Sequence, residues 1–329
     1  MVKYNNKDLT NEIISGNRRS LSKAITLIES SLSSHRNQAN DLLKQIIPYA
    51  GKSIRIGISG PPGVGKSTLI ESLGLNLLEK NRSVAVLAID PSSNISGGSI
   101  LGDKTRMERL SSKDNVYIRP TPAGELLGGV ARHTRETIML CESAGFDTIL
   151  VETVGVGQSE ATVASMVDIF ILVIAPGGGD ELQGIKRGIV ELSDLIVVNK
   201  ADGDLLSGAN QIASEYSSAL SLIRAKSSNW KTKVITCSAI TNHGIDKIWE
   251  IILKFIENLE KNVTLSKYRG NQYKQWLWQE IQEGFLSEIK RDNKIGKMVT
   301  DIEEEIADQN ELPSVAAEQI LNKFFNKNR

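Results

Sequence analysis

Gly60-Pro61-Pro62-Gly63-Val64-Gly65-Lys66-Ser67 fits G-x-x-x-x-G-K-[ST], a loop whose backbone N–H groups can surround nucleotide phosphates. Lys66 brings charge to the β- and γ-phosphates, and Ser67 offers a hydroxyl to Mg²⁺. The flanks agree with this reading. Ser53-Ile54-Arg55-Ile56-Gly57-Ile58-Ser59 is a short apolar-rich run, expected as a buried strand feeding the loop. Ser67-Thr68-Leu69-Ile70-Glu71-Ser72-Leu73 opens a helix with apolar residues at helical spacing. Strand, glycine-rich loop and helix are the context the motif requires. Gly60 to Thr68 therefore form the candidate phosphate site.

Farther along the chain, Asn199-Lys200-Ala201-Asp202 fits N-K-x-D. An Asp carboxylate only accepts hydrogen bonds. It suits guanine, which presents N1–H and a 2-amino group as donors. Adenine has no such pair on that edge. Leu195-Ile196-Val197-Val198 leads into Asn199, so the base reader sits at a strand's carboxyl end, where open α/β sheets bind ligands. Thr236-Cys237-Ser238-Ala239-Ile240 ends a later strand, and its Ser238-Ala239 resembles the short GTPase loop whose backbone N–H meets guanine O6. A phosphate loop alone says nucleotide; with this base reader it says GTP.

Composition narrows the class. At 329 residues the chain can bury a large core, with one main domain and an accessory region. Lys+Arg and Asp+Glu are 39 each, which argues against a general nucleic-acid binder. Cys141 and Cys237 lie in apolar surroundings with no metal or disulfide spacing, as in a reducing cytosol. The first residues, Met1 to Asp8, hold no apolar signal core. The longest apolar run, Ile169 to Pro176, is too short for a bilayer. A cytoplasmic protein with no membrane partner is expected.

Residues 9–48 read as helical, with Ile13, Ile14, Leu21, Ala24, Ile25 and Ile28 as one apolar stripe. Six strands are expected: the one before Gly60, then Val84–Ile89, Phe146–Val151, Ile169–Ala175, Leu195–Val198 and Val234–Cys237. Their continuous apolar character indicates a mostly parallel sheet covered on both faces. Ile245 to Leu259 reads as a closing helix, and beyond about residue 264 only helices are expected. The fold class is α/β, a P-loop NTPase. Its expected organisation is a helical extension over 1–50, a GTPase domain over 51–262 and a helical region over 263–329.

Further chemistry lies between the anchors. Asp90, in Ile89-Asp90-Pro91-Ser92-Ser93, ends the second strand and is a candidate to orient Mg²⁺ or its waters, since Mg²⁺ keeps several water ligands. Asp103, in a glycine-rich then charged segment, is another. Glu152, at the end of a hydrophobic strand and three residues before Gly155, has the logic of a Walker-B and second switch region. It would hold a Mg²⁺-bound water or position the attacking water. Gly155 can bring its N–H to the γ-phosphate with no side chain in the way. Gln158 could orient water, or cap a helix. Arg106, Arg119, Arg132 and Arg135 are all available for charge neutralisation. His133 reads as structural. The segment Pro176 to Gly188, with three consecutive glycines and Lys186, reads as a switch.

Together these segments resemble the ArgK/MeaB-type G proteins, also known through the human MMAA protein. The resemblance is carried by Gly60–Thr68, Asp90–Ser93, Ser96–Met107, Glu152–Glu160, Gly179–Lys186 and Asn199–Asp202, and by Arg18-Arg19 with the apolar stripe that follows. It implies a GTPase of the nucleotide-dimerising class, homodimeric through its C-terminal helices. It implies a chaperone of adenosylcobalamin-dependent acyl-CoA mutases, chiefly methylmalonyl-CoA mutase. By position, Lys66 binds phosphates, Ser67, Asp90, Asp103 and Glu152 surround Mg²⁺, and Asp202 reads guanine. Lys66, Glu152, Asp103 and Lys186 become the catalytic candidates. Residues 97–107, 153–160 and 177–188 become three switches. Two alternatives stand beside this: a kinase of a periplasmic transport protein, and a GTPase for metal insertion into another enzyme.

Overall fold

The computed structural model describes residues 6–30, 32–90, 107–122, 127–153, 160–177, 187–222 and 229–327. Within them the chain divides into two compact units, residues 1–269 and 270–329. The first unit therefore runs seven residues past the expected boundary at 262.

The first unit is built on a seven-stranded parallel sheet. Its strands are β1 (Ile54–Ser59), β2 (Val84–Asp90), β3 (Val116–Pro122), β4 (Thr148–Glu152), β5 (Ile169–Ile174), β6 (Leu195–Val198) and β7 (Lys233–Thr236). They lie in the order β3-β2-β4-β1-β5-β6-β7. Ile56 pairs with Leu150 on one side and Ile169 on the other, which makes β1 central. The apolar runs are continuous because both faces are covered. On β2, Val84 and Val86 enter one core while Ala85, Leu87 and Ile89 enter the other.

The strand at Val116–Pro122 was not among the six expected. Pro120 and Pro122 lack the N–H that a central strand needs on both sides. Here the strand is an edge, paired to β2 alone, where prolines are tolerated.

Helix α4 (Lys66–Glu79) packs against one face of the sheet with α5 (Glu108–Ser111) and α10 (Ile245–Asn262), through Leu69, Leu73, Leu110, Ile248 and Ile252. The other face carries α1 (Asn6–Ile14), α2 (Arg18–Ile28), α3 (Ser33–Ile46), α6 (Leu127–Ser143) and α7 (Glu160–Ala164). Asn17 caps α2 by accepting from the Ser20 N–H at 3.1 Å. Ile13, Leu21, Ile25, Leu42 and Ile46 are fully buried in that layer. Each such side chain contributes about 1.5–3 kcal/mol relative to exposure, so the amino-terminal helices are part of the core. Helices α8 (Arg187–Leu192) and α9 (Leu206–Leu222) cover β5 and β6 through Val190, Ala209 and Tyr216.

α11 (Leu265–Arg291) carries the chain into the second unit, which continues as α12 (Asn293–Ala307) and α13 (Pro313–Lys327). There Phe285 meets Phe324 edge-on at 5.2 Å and stacks on Phe325 at 5.7 Å. Among the described residues no helix is long and apolar enough to cross a membrane.

Candidate functional site

The carboxyl ends of the parallel strands lie along one edge of the sheet, and the sequence-predicted residues that the structure describes gather there. β1 runs into the phosphate loop, β4 into Thr153, β6 into Asn199 and β7 into Ser238. The loop closes tightly on its neighbours. Gly60 has φ +154°, and a Cβ there would lie 2.0 Å from the Val173 carbonyl oxygen on β5. Gly65 has φ +88°, and its Cβ would lie 2.6 Å from Asn199 Nδ2. Only glycine fits either place. Gly65 also stands immediately before α4, so the helix's first N–H groups open into the loop.

Lys66 is buried, and its Nζ donates to the carbonyls of Gly60 and Pro61 at 2.7 and 2.9 Å. The ammonium is thereby held over the loop's entrance. Ser67 Oγ donates to Glu152 Oε1 at 3.0 Å, and Glu152 is itself buried. Next to it, Thr153 Oγ1 donates to Ser59 Oγ at 2.7 Å, tying β4's exit to β1's end. A hydroxyl beside a carboxylate is a hard-oxygen donor set, and it fits Mg²⁺. Asp90 closes β2, but its side chain lies outside the described atoms, while Asp103, Gly155, Gln158 and Lys186 lie outside the described residues.

The Asn199 carboxamide joins the two loops. Its Nδ2 donates to Val64 O at 2.9 Å, and its Oδ1 accepts from the Ala239 N–H at 3.1 Å and from Cys237 Sγ at 3.5 Å. Burial pushes the Cys237 thiol up to about 12, so it stays a neutral donor. The Asp202 carboxylate accepts from Ser238 Oγ, and that oxygen in turn accepts from the Thr241 N–H at 3.2 Å. The Ala201 N–H donates to Cys237 O at 2.9 Å. Lys200 between them takes the left-handed backbone, φ +61°. Ile240 protrudes, 77% exposed.

One tie has no counterpart in the sequence motifs. Ser72 Oγ, on α4, donates to Ala239 O at 2.6 Å. The only hint in the sequence is a polar residue on the apolar stripe of Leu69, Ile70 and Leu73. Two of the arginine candidates are engaged elsewhere: Arg119 pairs with Glu29, and Arg135 donates to Ser165 Oγ at 2.8 Å. Arg106 lies outside the described residues, and the Arg132 side chain outside the described atoms. His133 Nδ1 lies 3.5 Å from Glu136 on its own helix.

A phosphate-loop motif, an acidic strand end and an Asn–Asp motif, joined by buried hydrogen bonds on a parallel sheet, form a candidate GTPase site. The family profile described as Methylmalonyl Co-A mutase-associated GTPase MeaB matches residues 21–294. The chain belongs to the MeaB family. It is 46% identical over 322 residues to the mouse protein named methylmalonic aciduria type A homolog, mitochondrial, with 95% of this chain and 78% of that one covered. It is 46% identical over 274 residues to GTPase ArgK of Escherichia coli, covering 83% of each. A solved structure named LAO/AO transport system kinase superposes with a TM-score of 0.79 at 34% identity, over 99% of both chains. This member of the family is a GTP hydrolase on the P-loop fold.

Proposed function

We propose that this GTPase is a nucleotide-gated chaperone of an adenosylcobalamin-dependent acyl-CoA mutase of the methylmalonyl-CoA mutase type, gating cofactor loading and protecting the mutase. The observation that carries the reading is the mutase-associated family profile, which spans both anchor motifs and the core of the sheet. The mouse relative's name points the same way.

In the hydrolysis step, water oxygen bonds to the γ-phosphorus and the bond to the β–γ bridging oxygen breaks, with GDP and inorganic phosphate as products. The transition state is loose, so positioning and charge supply most of the rate. The loop's N–H groups and Lys66 hold the phosphates. Ser67 and Glu152, with Asp90 and Asp103, would hold Mg²⁺, which would supply positive charge to offset that of the phosphates. Glu152 orients a water in this reading, which its burial beside Ser67 supports. Asp202 accepts from guanine N1–H and the 2-amino group, Ser238, Ala239 and Ile240 line the base's O6 side, and Lys200 flanks it. Gly155 brings its N–H to the γ-phosphate, and Lys186 serves as a nucleotide-responsive contact. The protein works as a cytoplasmic homodimer through its C-terminal helices, a reading supported by Leu277 and Trp278 of α11, 58% and 65% exposed.

The name of the solved relative favours one competing reading, phosphoryl transfer to a transport protein. One experiment separates the two. GTP turnover is measured alone, with adenosylcobalamin-loaded methylmalonyl-CoA mutase, and with a periplasmic amino-acid-binding protein. Acceleration by the mutase, with all phosphate released to water, is expected. Phosphate appearing on the transport protein, with no response to the mutase, would replace the chaperone reading with the kinase one.

A further inference from the structure

We propose that Ser72 is a positioning residue for guanine recognition, acting through Ala239. The inference rests on the guanine-reading role given above to the 238–240 loop, and extends it to a residue outside every motif. Ser72 lies six residues after Lys66 on the same helix and 167 residues from its partner. It is 5% exposed. A serine within a helix ordinarily points to solvent or bonds its own backbone one turn back. This one donates across the fold to Ala239 O.

The bond completes a closed ring. Val64 O is held by Asn199 Nδ2, Asn199 Oδ1 accepts from the Ala239 N–H, and Ala239 O is held by Ser72, whose helix starts immediately after Gly65. Ala239 is thus held at its N–H, in the 238–239 peptide, and at its C=O, in the 239–240 peptide, so the planes of both are set and Ser72 fixes the second. The other edge of the base is read separately, by Asp202 braced on Ser238. Removing the Ser72 hydroxyl leaves the Ala239 carbonyl buried without that donor, which favours reorientation of the Ala239–Ile240 peptide while Asn199 still holds the Ala239 N–H. The O6 side of the pocket loosens while the Asp202 side stays fixed.

The test uses the full-length protein with Mg²⁺ and three diphosphates: GDP, IDP and 6-thio-GDP. IDP lacks the 2-amino group that Asp202 reads. The thio analogue keeps both donors and changes only the acceptor at position 6. For Ser72→Ala, GDP affinity should fall by about 3- to 10-fold, one hydrogen bond's worth. The preference for GDP over 6-thio-GDP should narrow, the preference for GDP over IDP should persist, and Ser72→Thr should restore both. Ser72→Cys, close in size and a poor donor, gives the same readout where the alanine variant does not fold. Equal losses for all three nucleotides, or an unchanged 6-thio-GDP preference, would overturn the proposal. A wild-type protein that binds all three equally would instead overturn the guanine reading itself.

Discussion

Asp202 shows how one carboxylate is aimed by its neighbours. Ser238 Oγ donates to it, and Thr241 N–H fixes that hydroxyl in turn. Hydrogen bonds to a charged group are worth about 1.5–3 kcal/mol. Asp202→Asn keeps an acceptor for Ser238 but replaces half of the acceptor-only head with a donor. It should cut the preference for GDP over XDP by roughly 10- to 100-fold, read by competition binding. An unchanged preference would mean that Asp202 does not face the base. Asp202 and Lys66 could be proposed from the sequence because their chemistry is tied to a short local pattern. Ser72 was not, since its partner is 167 residues away and a hydroxyl on an apolar stripe names no acceptor. Asn199 was legible only as part of the base reader. Its bonds to Val64 and Ala239 depend on how β6 is set beside the phosphate loop.

At the scale of elements, the phosphate loop is fitted tightly against β5. A methyl group at Gly60 would collide with Val173 O at 2.0 Å, a backbone atom that cannot swing aside. Gly63 also has a positive φ, +82° against +154° at Gly60, but open space around its Cβ position. Gly60→Ala is therefore expected to abolish tight GDP binding and lower the melting temperature. Gly63→Ala should cost only backbone strain, of order 1–3 kcal/mol. Calorimetric titration of GDP and thermal melts of both variants check this contrast; equal damage at the two positions would show that φ, rather than the approach of β5, is the constraint. Most strands were readable because a buried parallel strand is a short apolar run between turn residues. β3 was not, because its prolines argue against a strand until its edge position is known.

Across the whole first unit, the edge of the sheet opposite the nucleotide site carries a buried network of two arginines and two acids. Arg55 grips Glu142 with Nε and Nη2 at 2.8 and 2.9 Å, and Ser53 Oγ adds a bond at 2.6 Å. Arg269 grips Asp168 at 2.8 and 2.6 Å and donates to the carbonyls of Gly51 and Ser53. Burial alone would raise the Glu142 pKa; the hydrogen bonds and charge of Arg55, with Ser53 and Arg269, outweigh it and hold the carboxyl below its ordinary 4.5. Its contribution to stability is then complete above pH 4.5 and is lost as the pH falls from there through the lower folded value. Urea unfolding from pH 7 down to 3 should show this loss. Glu142→Gln should be less stable at pH 7 and decline less steeply below 4.5. A variant that declines as steeply as the native chain would place the acid sensitivity in other carboxylates. No motif announces this network, because its four charged residues are spread from 55 to 269 and meet only once the sheet is formed.

Arg269 also determines where the chain can be cut. A protein ended at 262, where the last sheet-covering helix stops, would strand Asp168 in the interior without its guanidinium. Leaving one buried charge unpaired costs about 3–5 kcal/mol, a large share of what holds a domain together. A chain ended after residue 269 should therefore melt well above one ended at 262, since the arginine that begins the arm is the last structural residue of the body.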